Sequence, residues 1–251
     1  MKWCRNSLAV LFMLLGFSFL NNPARADISN DIRLTAFPYY DFTNHFTIFA
    51  DLGYAWNRDG QSQVFNMLSP GVYYTFSPWL QVWGGFNNRY SVNASKPDTY
   101  EIRPYLGPRL YLPNRWKINL YDYTRFEYRC LDDLETHDWS YSQRIRSRFE
   151  ADFPLTSTER AWKANTWYTL TSVEPFYVFN GQGFNQLRVS GGIGYIVNNR
   201  IRVEFNYYAQ FNRSDGGPLL FTENIFRLNI KIKLNKEHHE EEAQPPVTGD
   251  N

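Results

Sequence analysis

Arginine and glutamate alternate with aromatic and aliphatic residues along two neighbouring stretches of the sequence, TRFEYR at 124–129 and SQRIRSRFE at 142–150. The planar guanidinium group of arginine can hold a carboxylate through two parallel hydrogen bonds. At every second position, these residue types favour either a lattice of ion pairs or a cationic lining that binds anions. Both kinds of chemistry need an element that places alternate residues on one face, and a β-strand does this.

The same alternation recurs from Phe46 to Leu234, and turn sequences interrupt it at regular intervals. A typical stretch is FTIFADLGYAW, which begins at Phe46 and puts only apolar and aromatic residues on one face. The pattern indicates about ten strands, and no segment has a helical period. Residues 31–39 fit either an additional strand or a lead-in segment. The sequence therefore predicts an all-β fold.

Two all-β architectures show this alternation. A soluble sandwich buries its apolar faces between two sheets, whereas a membrane barrel turns its apolar face to lipid and its polar face inward. The alternating stretches exceed the roughly 5–6 residues usual for globular strands and reach the roughly 9–11 residues of a tilted membrane strand. Short connections such as SPW (77–79), LPNR (112–115) and NN (198–199) alternate with longer ones such as SVNASKPD (91–98) and CLDDLET (130–136), as in outer-membrane barrels. We therefore favour the barrel.

Tryptophan and tyrosine collect near the predicted strand ends. Amphipathic rings of this kind prefer the boundary between membrane and water. The predicted interface aromatics are Trp56, Trp79, Trp116, Trp139, Tyr141 and Trp162.

The predicted fold is a closed antiparallel transmembrane up-and-down β-barrel of about ten strands, with twelve as the alternative count, over residues 46–234. Residues 27–45 are then an N-terminal lead-in or an extra strand. An open sheet edge in hydrocarbon would leave unpaired backbone groups that cost several kcal/mol each, so the first strand should pair with the last. Ten strands would place both ends of the barrel on the side of the short turns.

Residues 1–26 are predicted to be a secretory signal peptide. Lys2 and Arg5 precede an apolar run, and Ala24-Arg25-Ala26 fits a cleavage site. A retained membrane anchor is the alternative, but the run is shorter than the roughly 20 residues that a spanning helix needs. We expect the outer membrane of a Gram-negative bacterium as the location. Outer-membrane lipid, lipopolysaccharide and the barrel assembly machinery are the expected partners.

Residues 235–251 are predicted to be an acidic, disordered, periplasmic tail. Its KEHHEEE run (236–242) could bind a divalent cation, but a solvated acidic segment is the preferred interpretation, and we predict no metal and no cofactor. The chain has 26 basic and 25 acidic residues, a balance that gives no reason to expect a nucleic-acid partner. Cys130 would be the single cysteine left after removal of the signal peptide, so no intramolecular disulfide is expected.

The charged residues at alternate positions are predicted to face the barrel axis. Two interpretations remain open: a pairing lattice that fills and stiffens the barrel, or a narrow, positively lined pore for small anionic solutes. Arginine outnumbers glutamate in the set, and buried charges must pair or stay hydrated. The predicted lumen network is Glu101, Arg103, Arg109, Arg125, Glu127, Arg129, Arg144, Arg146, Arg148, Glu150, Arg188, Arg200, Arg202 and Glu204.

Four short motifs follow one another in the chain: Arg125-Phe126-Glu127-Tyr128-Arg129, Arg144-Ile145-Arg146, Glu174-Pro175-Phe176 and QLRVSGGIGY at 186–195. In this order they resemble an uncharacterised family of bacterial outer-membrane β-barrels known as a domain of unknown function. The resemblance covers about residues 80–234. It implies a barrel and supplies no activity. The arginine-rich lumen is also loosely similar to that of narrow porins for acidic oligosaccharides.

A barrel enzyme that acts on lipid or peptide at the external rim is the alternative function. The nearest arrangement of catalytic residue types is His137, Asp138, Ser140 and Ser142 at the start of a strand. A serine needs an adjacent base to act as a nucleophile, and the alternation places His137 opposite to both serines. We therefore predict no catalytic site and no enzyme activity.

Overall fold

The computed structural model describes residues 28–57, 62–114, 118–157, 163–179, 181–213 and 217–235. The predicted signal peptide, Trp116, Trp162 and residues 236–251 of the predicted tail lie outside these ranges.

The described residues form eleven β-strands and no helix, so the predicted all-β fold is confirmed. The strands are β1 (Ser29–Asp41), β2 (Phe46–Asn57), β3 (Ser62–Ser77), β4 (Leu80–Asn93), β5 (Thr99–Leu112), β6 (Asn119–Asp133), β7 (Trp139–Pro154), β8 (Thr166–Val178), β9 (Gly183–Asn198), β10 (Ile201–Arg213) and β11 (Leu219–Lys233). No described helix is long and apolar enough to cross a bilayer.

The strands close into one barrel in the order of the chain. All sequential neighbours pair antiparallel, and β1 closes the ring by pairing in parallel with β11, with Arg33 opposite Arg227 and Thr35 opposite Asn229. The segment that the sequence left undecided, residues 31–39, is therefore part of a strand. Its polar Asp31, Arg33 and Thr35 alternate with apolar residues, as the other strands do.

The expectation that both ends of the barrel lie on one side was wrong. Eleven strands bring β1 and β11 into parallel alignment, so the chain enters β1 at one rim and leaves β11 at the other. Bacterial single-chain outer-membrane barrels usually have an even number of strands, and the extra strand β1 makes this barrel odd. We call the rim where β1 starts the N-terminal rim and the rim where β11 ends the C-terminal rim.

Successive connections lie at opposite rims, because successive strands run in opposite directions. The turns at 78–79 and 199–200 lie at the C-terminal rim, and the connections at 94–98 and 134–138 lie at the N-terminal rim. The connection at 155–165 also lies at the C-terminal rim. The short turns therefore share one rim, but that rim also carries the longest connection.

Many charged side chains of the barrel are buried, and many large apolar side chains are exposed. Glu127 is fully buried and Leu106 is 62% exposed. Every strand presents at least one large apolar side chain to the outside. Examples, one per strand, are Leu34, Leu52, Val72, Phe86, Leu106, Phe126, Phe149, Val173, Ile193, Phe205 and Phe226.

Gly107 marks a close approach between β5 and β6. A Cβ atom at this position would collide with the carbonyl oxygen of Thr124 and lie 2.7 Å from the Cα of Arg125. Both obstacles are backbone atoms, which cannot move aside as a side chain can. We therefore expect Gly107→Ala to lower the free energy of unfolding by about 1–3 kcal/mol, the usual cost of overpacking.

The matched control for this prediction is Gly191→Ala, because a Cβ atom at Gly191 meets nothing within 4 Å. Unfolding of the purified barrels in detergent, followed by circular dichroism over a urea series, measures both variants. Equal stability of the two variants would contradict the close approach of β5 and β6.

Candidate functional site

The interior of the barrel holds a cavity of about 1200 Å³. It reaches the C-terminal rim at residues 41–45, Pro78 and Asn235, and it extends inward to Arg146 and Glu174. A second cavity of about 380 Å³ lies toward the N-terminal rim and is lined by Arg129, Ser142, Arg144 and residues of β8 to β10 and their connections. We call these the large cavity and the small cavity. They share no lining residue.

The structure places the predicted lumen residues in three groups. Those that line the large cavity are Arg109, Arg125, Arg146, Arg148, Glu150, Arg188, Arg202 and Glu204. Arg129 and Arg144 line the small cavity. Glu101, Arg103 and Glu127 are buried in the barrel and line neither cavity.

The prediction for Arg200 was wrong. Asn199 and Arg200 form the turn between β9 and β10, and Arg200 is exposed to solvent. Its backbone N–H donates to the side-chain oxygen of Asn198 at 2.9 Å, a bond that belongs to the turn. Alternation extends only as far as the strand, and β10 begins one residue later at Ile201.

Glu127 is the centre of the densest charge cluster. Its Oε1 accepts from Nε of Arg125 at 2.5 Å and lies 2.9 Å from Nε of Arg146. Its Oε2 accepts from Arg144, and Nη1 of Arg103 lies 3.9 Å away. Four arginines from three neighbouring strands therefore surround one carboxylate. Arg125 and Arg146 are directly opposite each other in the register of β6 and β7, so Glu127 offsets a repulsion between two cations.

A second carboxylate extends the cluster across β5. Glu101 accepts from Nη2 of Arg103 at 2.6 Å and from Nε of Arg129 at 2.5 Å. Glu174 on β8 continues it on the other side, 3.1 Å from Nη1 of Arg146. We call Glu101, Arg103, Glu127, Glu174 and the arginines bound to them the charge partition.

The charge partition lies between the two cavities. Along β6, Arg125 lines the large cavity, Glu127 is buried, and Arg129 lines the small cavity. Along β8 the order is the same: Glu174 lines the large cavity, the ring of Phe176 is buried, and Val178 lines the small cavity. The guanidinium groups of Arg144, Arg146 and Arg188 lie 4.9–5.4 Å from the centre of the Phe176 ring. Ion pairs and one phenyl ring therefore lie between the residues that line the two cavities.

One side of the large cavity is an aromatic wall contributed by β1 to β6. Phe49, Trp83 and Tyr105 form a buried cluster, against which Phe37, Tyr39, Tyr73 and Tyr123 pack. Neighbouring rings contact one another, with centroids 4.6 Å apart for Phe49 and Tyr73 and 5.0 Å apart for Trp83 and Tyr105. Arg125 lies over the ring of Tyr105 at 4.7 Å. The wall offers flat apolar faces beside cationic groups.

The opposite side of the large cavity, from β7 to β11, is mainly charged. Glu204 accepts from the hydroxyl of Tyr168 at 2.7 Å and from Nζ of Lys231 at 2.6 Å. Near the C-terminal rim, Lys233 lies 2.9 Å from Asp41 of β1. Over its whole lining, the large cavity has ten arginine and lysine side chains against six aspartates and glutamates. The excess of positive charge favours solutes that carry negative charge.

Sequence reasoning missed several lining residues. Asp152 on β7 and Arg227, Lys231 and Lys233 on β11 lie at the alternate positions that face the interior. The alternation in these two strands could therefore have identified them. Arg33 was missed because its segment was not assigned to a strand. The aromatic wall was missed because Tyr121 and Tyr123 share a face with Arg125, whereas the predicted lumen residues were all charged.

The predicted interface aromatics within the described residues all lie near a rim and are exposed. Trp56, Trp139 and Tyr141 are at the N-terminal rim, and Trp79 is in the turn at the C-terminal rim. Trp116 and Trp162 lie outside the described residues.

The candidate catalytic residues are not joined in the structure. Nδ1 of His137 lies 3.9 Å from Asp132, and the hydroxyl of Ser140 lies 3.5 Å from the carbonyl oxygen of Leu131. Among the described residues, no hydrogen bond joins His137 to Ser140 or Ser142. Within the same ranges, no three His, Cys, Asp or Glu side chains are grouped for a metal ion, and the KEHHEEE run falls outside them.

A family model described as "Protein of unknown function (DUF2490)" matches residues 34–220. A search of curated proteins gave no match. The matched residues include β2 to β10 and the whole charge partition, and the expected resemblance to an uncharacterised family is thereby confirmed. The outer-membrane location and the likeness to porins stay predictions. Because the match covers most of the sequence, the chain belongs to the DUF2490 family of proteins of unknown function.

Proposed function

We propose that this protein is an integral β-barrel of the bacterial outer membrane whose lumen is closed by the charge partition. The observation that carries the proposal is the inverted distribution of side chains, with Leu106 and Phe86 more than half exposed and Glu127 fully buried. Soluble monomers rarely expose contiguous apolar patches larger than a few hundred Å². A membrane explains the exposed apolar side chains, because lipid favours apolar side chains on the outside of a barrel and polar or charged ones on the inside.

Two further features support the membrane proposal. The closed barrel has no unpaired sheet edge, which is the condition for a β-structure in hydrocarbon. The amino-terminal sequence has the pattern of a secretory signal peptide. Lipid, lipopolysaccharide and the barrel assembly machinery are therefore the proposed partners. By the usual rule that short turns are periplasmic, the turns at 78–79 and 199–200 place the C-terminal rim and the large cavity on the periplasmic side.

Membrane fractionation tests the location. We expect the protein in the outer-membrane fraction, resistant to extraction with alkaline carbonate and soluble only with detergent. This result follows because the exposed side chains of all eleven strands would contact lipid. A mature chain that remains monomeric in buffer without detergent would contradict the proposal, and a known periplasmic protein in the same cells controls for contamination.

Tag insertion tests the orientation. A tag inserted in the connection at 134–138 should be detected on intact cells, whereas a tag in the turn at 199–200 should be detected only after the outer membrane is permeabilised. The opposite pattern would reverse the proposed orientation and leave the membrane location intact.

A narrow anion pore is the second candidate function, and the excess of cationic side chains in the large cavity favours it. Conductance across planar bilayers separates the two candidates. A closed barrel gives no discrete steps, whereas a pore gives anion-selective steps that Arg146→Glu diminishes. We expect no current steps from the wild-type protein, because the buried side chains of Glu127 and Phe176 lie between the two cavities.

A further inference from the structure

Arg109 on β5 has an environment that differs from those of the neighbouring cations. Its guanidinium carbon lies 4.6 Å from the ring centres of both Tyr111 and Tyr123, and 5.3 and 5.7 Å from those of Tyr121 and Tyr73. Nη1 donates one hydrogen bond, to the side-chain oxygen of Gln81 at 3.2 Å. Four tyrosine rings and an amide therefore hold the guanidinium in place at the wall of the large cavity.

Most other cations of this cavity are matched by a carboxylate. Arg125 is bound to Glu127, Lys231 to Glu204 and Lys233 to Asp41. For Arg109, no carboxylate lies within 4 Å among the described residues, and its buried Nε–H has no acceptor there. A buried cation is costly when no carboxylate offsets its charge, so an oxyanion that reached the guanidinium would bind without displacing an internal carboxylate.

We propose that the large cavity is a binding site for a small ring-bearing organic acid, whose carboxylate is held by Arg109 and whose ring lies on the aromatic wall. The planar fork of arginine matches the two oxygens of a carboxylate. The half-buried rings of Phe37 and Tyr73 line the cavity and supply flat faces of the kind that line small-molecule sites. The cavity volume of about 1200 Å³ leaves room for such a solute, and the cationic excess raises its local concentration.

The opening at the C-terminal rim gives this solute a path to Arg109 that does not cross the charge partition. Tyr111 and Gln81 lie toward that rim, and both line the same cavity. The hydroxyl of Tyr111 donates to the same Gln81 oxygen at 3.2 Å. This inference rests on the proposed closure of the lumen by the charge partition, which leaves the site open from one side of the barrel and makes it a binding site rather than a conduit.

Two kinds of solute share this chemistry, a sugar acid and an aromatic acid. Calorimetric titration of the full-length protein, folded in detergent, distinguishes them with four probes: glucuronate, benzoate, and the neutral counterparts glucose and benzyl alcohol. We expect at least one acid to bind about tenfold tighter or more than its neutral counterpart, a factor that corresponds to 1.4 kcal/mol. Preference for glucuronate assigns a sugar acid, and preference for benzoate assigns an aromatic acid.

Variants locate the site. Arg109→Gln should remove the preference for the acid, and Arg109→Lys should retain part of it, because lysine keeps the charge and loses the fork. Arg200→Gln is the matched control, since Arg200 lies exposed in the turn between β9 and β10. Unchanged binding by Arg109→Gln would overturn the assignment to Arg109.

The wild-type titrations alone keep the proposal falsifiable if Arg109→Gln fails to fold. Equal affinity for an acid and its neutral counterpart would overturn the role of the carboxylate. Acetate or inorganic phosphate bound as tightly as the ring-bearing acids would overturn the role of the aromatic wall. Absence of heat at millimolar concentrations of all probes would overturn the site. These measurements use detergent-folded protein, so their failure is distinct from failure of the outer-membrane location, which fractionation decides.

Discussion

Replacement of Glu127 by alanine is expected to lower the free energy of unfolding of the barrel by about 3–5 kcal/mol, the usual cost of removing one partner from a buried ion pair. The carboxylate is fully buried and contacts Arg125, Arg144 and Arg146. Its loss leaves these cations close to one another without a counter-charge. Arg125 and Arg146 are the most affected, because they face each other directly across β6 and β7.

Unfolding in detergent over a urea series, followed by circular dichroism, measures this effect. Glu127→Gln should also be strongly destabilised, because it keeps the shape of the side chain and loses its charge. Glu135→Ala is the control, since Glu135 is exposed in the connection at 134–138 and should change stability by no more than about 0.5 kcal/mol. A Glu127→Ala protein as stable as this control would show that the partition carries no structural role.

The same variant tests whether the charge partition closes the lumen. Glu127 is the buried residue between Arg125 of the large cavity and Arg129 of the small cavity. A methyl group in its place removes the bridge between four guanidinium groups, which would then repel one another toward the walls. We expect folded Glu127→Ala protein to give anion-selective current steps in planar bilayers where the wild type is silent. If neither protein gives current steps, other residues, such as Phe176, close the lumen.

Arginine at Leu106 is expected to destabilise the inserted barrel by about 2–4 kcal/mol, the cost measured for arginine at the lipid face near the bilayer midplane. Leu106 lies at the centre of β5 and is 62% exposed. In a water-soluble barrel the same substitution would be an ordinary surface change, within about 0.5 kcal/mol. The size of the effect therefore distinguishes a lipid-facing surface from a water-facing one.

Leu112→Arg is the matched control, because Leu112 is also exposed but ends β5 at the C-terminal rim. The cost of arginine falls to about 0–1 kcal/mol near the membrane interface. Reversible folding of both variants into lipid vesicles, compared with wild type over a urea series, gives the two free energies. Equal and small effects at both positions would contradict the membrane proposal, whereas a large effect at Leu106 alone would support it.

The sequence predicted about ten strands, with twelve as the alternative count, and the structure has eleven. The face of the strand on which a side chain lies is set by backbone geometry alone, since successive side chains point to opposite faces. Residues such as Arg146, Arg148 and Glu150 therefore fall on one side of β7 wherever that strand lies in the barrel. The error at Arg200 arose where this local rule stops, at the two-residue turn before β10.

The aromatic wall and the charge partition lay beyond the reach of a single strand. The contact between Arg129 and Glu101 joins β6 to β5 and depends on the register that places Leu131 opposite Glu101. The register between two strands depends on how the whole strands pair and on the length of the connection between them. The sequence indicated the lengths of these connections only approximately. The four tyrosines around Arg109 come from β3, β5 and β6, so their meeting could be seen only once the sheet was closed.

Local alternation thus determined that this chain forms long strands with one apolar and one charged face. The tertiary structure decided which charges meet, that β1 joins the ring in parallel with β11, and which residues line the large and the small cavity. The physical reason is that side-chain direction depends on neighbouring residues in the chain. Strand number, register and closure depend instead on hydrogen bonds between segments far apart in sequence, which no short pattern specifies.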